Sequence, residues 1–208
     1  VIALQTIPGY VIPAGCALML RNCGPGGVSK NGFVWPLTPG EIATCPDWSP
    51  VAECGHGLHG WLWGEGDHNA AGVPIEQVDA VWLVVEIALD SIVSLDRKIK
   101  VPSGRVVASG PRHEVCAWLG VMAPGRAIIA GTATAGDAGT ATAGVRGTAT
   151  AGYAGTATAG VRGTVSVRWW DGRSNRYRIV SADVGDNGIR PNTPYHCIDG
   201  KLVEGKHP

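Results

Sequence analysis

Phenylalanine occurs once in these 208 residues, and charge of one sign is missing: 17 lysines and arginines stand against 17 aspartates and glutamates. With no net charge there is no general basic face to release counterions from a polyanion, so a nucleic-acid partner is not expected. Arg168, Arg173, Arg176 and Arg178 cluster locally and read as solvated positions of a strand pair. Long apolar runs are also missing. The longest, Ala80 to Val85, falls far short of the roughly 20 residues that span a bilayer as a helix, so no membrane partner is expected. No basic stretch followed by an apolar segment opens the chain, and a cytoplasmic or virion-associated location follows as the expectation. Cys-x-x-Cys is absent, which excludes a standard zinc finger or ribbon. Nucleophile elbow, phosphate loop and paired-carboxylate motifs are absent too; Gly24-Pro25-Gly26-Gly27 lacks the Lys-Ser/Thr that a phosphate cradle needs. No catalytic residue is assigned, and the chain reads as a binding or structural protein before an enzyme.

What is present is a 45% apolar composition, enough to bury a core, with 31 glycines. Six cysteines occur, four of them in the first third, and free thiols or a metal site are expected over disulfides. Ala17–Leu20, Phe33–Trp35 and Leu58–Trp63 read as short strands between turn residues. Val78–Leu89 reads as a buried strand, followed by strands at Ile92–Leu95, Lys98–Val101 and Arg105–Ala108, with a turn at Pro102-Ser103-Gly104. His113–Met122 reads as one short helix. Beyond residue 163, Thr164–Trp169 alternates and pairs with Tyr177–Val180 across Asp171-Gly172-Arg173-Ser174-Asn175, and Tyr195–Ile198 turns at Asp199-Gly200 into Leu202-Val203.

The most informative segment is Gly131 to Gly163. It repeats GTATAGDA, GTATAGVR, GTATAGYA and GTATAGVR with a period of 8, and Val145-Arg146 recurs as Val161-Arg162 with a period of 16. Eight residues cannot close a coil holding a strand and its return, but two octads can. The expected fold class is therefore mainly β: a small α+β N-terminal domain over 1–125, a two-coil β-solenoid over 126–163 and a C-terminal β cap over 164–208. Strand alternation puts Ala133, Ala141, Ala149 and Ala157 inside, because the reverse parity would bury eight hydroxyls that each need a partner. The outer faces then carry Thr132, Thr134, Thr148 and Thr150 on one side and Thr140, Thr142, Thr156 and Thr158 on the other. An alanine core is thin, so the coils need their flanking caps.

The run Ala151-Gly152-Tyr153-Ala154-Gly155-Thr156-Ala157-Thr158-Ala159-Gly160 resembles the 16-residue coil of bacterial ice-nucleation proteins. The resemblance implies coil architecture. It implies ice binding only as a minor reading, because two coils present a small surface. A second resemblance rests on Asn31-Gly32-Phe33-Val34-Trp35, Cys54-Gly55-His56-Gly57-Leu58-His59-Gly60 and Gly188-Ile189-Arg190-Pro191-Asn192-Thr193-Pro194-Tyr195. In layout these are similar to uncharacterised phage and prophage-type proteins with a Cys/Gly-containing N-terminal domain and octapeptide repeats, which implies a phage-related setting.

The chemistry-bearing residues concentrate at Cys54, His56, His59, Glu65, Asp67 and His68. Cys54, His56 and His59 are ligand types that suit zinc. Alternatively His56 or His59 would serve as a general base oriented by Glu65 or Asp67. Trp61 and Trp63 would share a strand face as a ligand platform, and Trp169 or Trp170 would cap the solenoid. The leading expectation is a structural or interaction protein that meets a protein partner, or itself, through the threonine faces and the turn residue Tyr153. The rival is a ligand- or zinc-binding N-terminal domain with the repeat as spacer.

Overall fold

The computed structural model describes residues 3–67, 72–75 and 77–207 and is mainly β. The chain divides into two compact units, Val1–Met122 and Ala123–Pro208. The repeat and the strands that follow it lie in the same unit.

The first unit holds β1 (Gln5–Thr6), β2 (Cys16–Cys23), β3 (Ile42–Thr44), β4 (Leu58–Leu62), β5 (Val81–Ala88), β6 (Val93–Leu95), β7 (Lys98–Val101), β8 (Ser103–Gly110) and the helix α1 (Arg112–Met122). Its strands pair antiparallel in the order β1-β8-β5-β2-β4-β7-β6, with β3 also beside β8. β2 and β5 are central and buried on both faces, which is why each reads as an apolar run and not as an alternation. Ala17, Met19, Leu83, Val85 and Ile87 pack with Trp35, Ile99 and Val101 in one core cluster. α1 packs against β5 and β8 and buries Val115, Cys116 and Leu119.

Three expectations change here. Phe33–Trp35 is not a strand; it makes one bridge, Val28 to Val34, in a loop closed by Ser29 N donating to Phe33 O (2.8 Å) and Trp35 N to Gly27 O (2.9 Å). No turn separates β7 from β8: the chain bends at Pro102 and changes partners, β7 pairing β4 and β6 while β8 pairs β5. Trp61 is not a platform. It is fully buried and stacks on Trp82 with ring centroids 6.1 Å apart, while Trp63 lies past the strand end at φ 55°.

The second unit holds β9 (Thr132–Ala135), β10 (Thr140–Ala143), β11 (Thr148–Ala151), β12 (Thr156–Ala159), β13 (Thr164–Asp171), β14 (Arg176–Asp183), β15 (Thr193–Ile198) and β16 (Lys201–Glu204). Each octad contributes one strand, and strands 16 residues apart pair in parallel: β9 with β11 with β13, and β10 with β12. β14 then adds antiparallel to β13, β15 adds antiparallel to β12, and β16 adds antiparallel to β15. Ala141, Ala143, Ala149, Ala151, Ala157 and Ala159 are buried between the two sheets, and Val165, Val167, Ile189 and Tyr195 extend that core.

The turns explain the invariant glycines. Gly139, Gly147, Gly155 and Gly163 each donate their N–H to the carbonyl three residues back. Gly144, Gly152 and Gly160 sit where one turn rests on the turn 16 residues earlier: a Cβ on Gly152 would stand 2.5 Å from Asp137 N, and one on Gly160 2.6 Å from Val145 N. The last residue of each octad, Ala138, Arg146, Ala154 or Arg162, takes φ between 55° and 57°. Ala130 does the same at φ 51°, its N–H donating to Val145 O, so the turn ladder begins one octad before the recognisable repeat.

Candidate functional site

The two threonine faces expected from the sequence are not equivalent. On the β9–β11 face, Thr132 aligns with Thr148 and Thr134 with Thr150. Spacings follow from the sheet, ~4.8 Å between strands and ~6.7 Å along a strand. Thr132 and Thr134 are exposed, and Thr148 and Thr150 half-buried. The rows run on to Thr164 and Ser166 in β13, where β14 takes up the hydroxyls: Thr164 Oγ1 donates to Asp183 Oδ1 (2.7 Å), and the Ser166 and Ser181 hydroxyls share a hydrogen bond (2.8 Å). On the β10–β12 face, Thr140 is exposed, Thr142 and Thr158 are half-buried, and Thr156 is 4% exposed. Its Oγ1 accepts from the backbone N–H of His207 (3.2 Å). The tail closes part of this second face.

Tyr153 stands at a turn and is 44% exposed. Its backbone N–H donates to Asp137 Oδ1 (2.8 Å), so the aspartate of the first octad props the tyrosine of the third. Its ring meets Tyr177 edge-on at 5.7 Å, Tyr177 meets Trp170 at 5.0 Å, and the Arg168 guanidinium lies 4.1 Å over Tyr177. Trp170 and Tyr177 are each 43% exposed, so this is an aromatic surface patch. Tyr177 and Trp170 were missed as surface candidates, since only the hairpin register brings them level with Tyr153. Trp169 instead packs under the final turn, where a Cβ on Gly200 would stand 2.8 Å from its ring.

In the first unit the histidine-rich segment borders a cavity of about 390 Å³. Its walls include Arg21, Ser29, Phe33, Trp35, Cys45, Asp47, His56 and His59. His56 is exposed and its Nδ1 lies 2.8 Å from Asp47 Oδ2. The Cys45 thiol donates to the other oxygen, Asp47 Oδ1 (3.1 Å). The Cys45 thiol is pushed up by burial and then by this bond, while the same bond, followed by His56, lowers the Asp47 carboxyl. The trio therefore holds a protonated thiol and an ionised carboxylate, a hydrogen-bonding rim and not an activated nucleophile. His59 hydrogen-bonds the Gly57 backbone, and its Nε2 is buried without a partner. Burial first, then Lys98, Arg21 and Lys100, lower its imidazole to about 4.

Of the residues proposed as zinc ligands, Cys54 is exposed, His56 is engaged with Asp47 and His59 lies in the cavity wall. Among the described residues no three His, Cys, Asp or Glu side chains are grouped to hold a metal ion. Asp67 pairs with Arg97 (2.8 Å), and His56 takes its carboxylate from Asp47, the residue sequence reasoning missed. Asp47 lies nine positions away in a proline turn, outside the histidine-rich run. His68 lies outside the described residues. All six cysteines carry free thiols.

No protein-family model and no solved structure matches the chain. Among curated proteins it is similar to an ice nucleation protein of Xanthomonas campestris pv. translucens, 32% identical over 111 residues, which is 51% of this chain and 7% of that protein. It is also similar to an ice nucleation protein of Pseudomonas syringae, 34% identical over 98 residues, 46% of this chain and 8% of the relative. The chain thus spans less than a tenth of the length of these relatives. It is a β-rich repeat protein that resembles ice nucleation proteins over about half its length.

Proposed function

We propose that the Ala123–Pro208 unit is a short, capped β-solenoid whose role is to present a rigid interaction surface. The working face is the one carrying Thr132, Thr134, Thr148 and Thr150, continued at its turn by Tyr153, Tyr177 and Trp170. The observation that carries this reading is the registered pairing of β9 with β11, which repeats identical hydroxyls above alanines that are half-buried in β9 and buried in β11. Such a surface loses little conformational entropy on binding, since the β-branched side chains are already stiff. The opposite face is the poorer candidate because the tail covers Thr156.

The partner class proposed is protein, a second copy of this chain included, and the phage-related setting belongs to the same proposal through the motif resemblance. The double substitution Thr148→Lys with Thr150→Lys leaves the alanine core in place. Sedimentation velocity over a concentration series should show association that this variant loses. A wild-type chain that stays monomeric at every concentration, with the variant identical, sinks the self-association form of the proposal.

A second reading, ice binding, is favoured by the similarity to ice nucleation proteins together with the threonine rows. It predicts inhibition of ice recrystallisation that the same variant abolishes, and equal activity of the two proteins ends it.

A further inference from the structure

The cavity of the first unit is built around positive charge that nothing in the described protein neutralises. Arg21, in the middle of β2, is 6% exposed. Its Nη1 donates to the His59 carbonyl (3.2 Å) and its Nη2 to Ser29 Oγ (3.1 Å), both neutral acceptors. Its guanidinium carbon lies 5.7 Å from the centre of the Trp35 ring, the side chain also hydrogen-bonds the buried Cys23 thiol, another neutral partner, and its Nε is buried. Among the described residues no carboxylate pairs with it.

Lys100 is a second such group. It is 1% exposed, its Nζ donates to the Gly55 carbonyl at the cavity wall (3.2 Å) and lies 5.6 Å from the Trp48 ring. The unpartnered Nε2 of His59 belongs to the same wall. The one carboxylate among the described residues of the wall, Asp47, is already engaged by Cys45 and His56. A buried cation left without its counter-charge is costly, and neutral acceptors and ring faces offset only part of the cost. A buried guanidinium that no carboxylate neutralises, at the wall of a cavity of ligand size, is the arrangement that recognises an oxyanion. Phe33 and Trp35, edge to face at 5.7 Å, supply an apolar wall beside it.

We infer that this cavity binds a small organic anion, its carboxylate or phosphate seated against Arg21 and its flat apolar body against Phe33 and Trp35. This site is separate from the threonine surface and uses none of its residues. Binding, and not covalent chemistry, is its role, since the Cys45 thiol is a hydrogen-bond donor to Asp47.

Isothermal calorimetry on the full chain tests it, with benzoate and phenyl phosphate as anionic probes, benzyl alcohol as the neutral analogue and inorganic phosphate as the anion without a body. Saturable one-to-one binding of an aromatic anion, at least tenfold tighter than benzyl alcohol, is expected. Which of benzoate and phenyl phosphate binds tighter distinguishes a carboxylate seat from a phosphate seat. Arg21→Met should weaken the preferred anion at least tenfold. Should that variant fail to fold, Asn31→Trp, an exposed position on the cavity wall, should block binding while leaving the fold intact. Benzyl alcohol binding as well as the anions, no saturable binding of either aromatic anion, or unchanged binding in a folded Arg21→Met or Asn31→Trp protein would overturn the inference. Inorganic phosphate binding as tightly as phenyl phosphate would overturn the part given to the aromatic wall.

Discussion

A Cβ on Gly144 would stand 2.2 Å from the Ala127 carbonyl oxygen, whereas one on Gly136 would meet nothing within 4 Å. The two glycines hold the same octad position, yet only Gly144 rests on an earlier turn, which Ile128 and Ala130 form. Gly144→Ala is therefore expected to destabilise the protein by about 1–3 kcal/mol through overpacking. Gly136→Ala should be neutral or stabilising by up to ~1 kcal/mol, because it only narrows the unfolded ensemble. Urea unfolding of the two variants separates these outcomes. His59 supports a second expectation at this scale. In the unfolded chain its imidazole takes up a proton near 6.5, and in the folded protein near 4, because burial and then Lys98, Arg21 and Lys100 disfavour the charge. Between those values the unfolded state binds more protons, so the contribution present above pH 6.5 is lost as pH falls towards 4. The drop in stability from pH 7 to pH 5 should be smaller in His59→Gln, measured by denaturant unfolding at each pH. His59 was legible as a chemistry-bearing residue. Its company was not, because Arg21 and Lys100 reach it from strands far away in sequence.

At the scale of elements, β13 joins the repeat to the antiparallel strands that follow it. It continues the parallel ladder of β9 and β11, but it replaces their alanines with Val165 and Val167, both buried, and so thickens a core otherwise made of methyl groups. Val165→Ala should cost about 1–3 kcal/mol, the transfer free energy of the lost groups plus the cavity they leave, and thermal unfolding of the variant reads it. The hairpin from β13 to β14 was legible because Asp171-Gly172-Arg173-Ser174-Asn175 closes locally: Asp171 accepts from Arg173 N, Ser174 N and Oγ, and Arg178 Nε. These bonds, the Ser174 hydroxyl first and then Arg178, lower the Asp171 carboxyl to about 2. The bend at Pro102 was not legible as a change of partner, since Pro-Ser-Gly has the same local chemistry whether the next strand folds back on its predecessor or crosses to another neighbour. The loop at Phe33–Trp35 misled for a related reason. Phe33 and Trp35 line the cavity while Val34 is exposed, and the same alternation would serve a strand.

At the scale of the whole molecule, each compact unit has its own core. A lesion in one should stay in that one. Hydrogen exchange on Gly144→Ala should show lost protection within Ala123–Pro208 and unchanged protection in β2 and β5. Protection lost equally in β2 and β5 would mean that the two cores unfold as a single cooperative body.

What the sequence by itself determined about this protein is its mainly β character and the layout of its repeat, down to which residues turn and which face inward. Those properties recur every eight residues and arise from short-range sterics, glycine at the crowded corners and alternation along each strand. Only the tertiary structure decided that one threonine face is open while the other meets the C-terminal tail, that Tyr153 joins Tyr177 and Trp170, and that Arg21, Asp47 and His59 share a cavity. Those contacts depend on which strands become neighbours and in what register. Strand pairing brings together groups that no local pattern connects, and there the burial of an unmatched charge becomes visible.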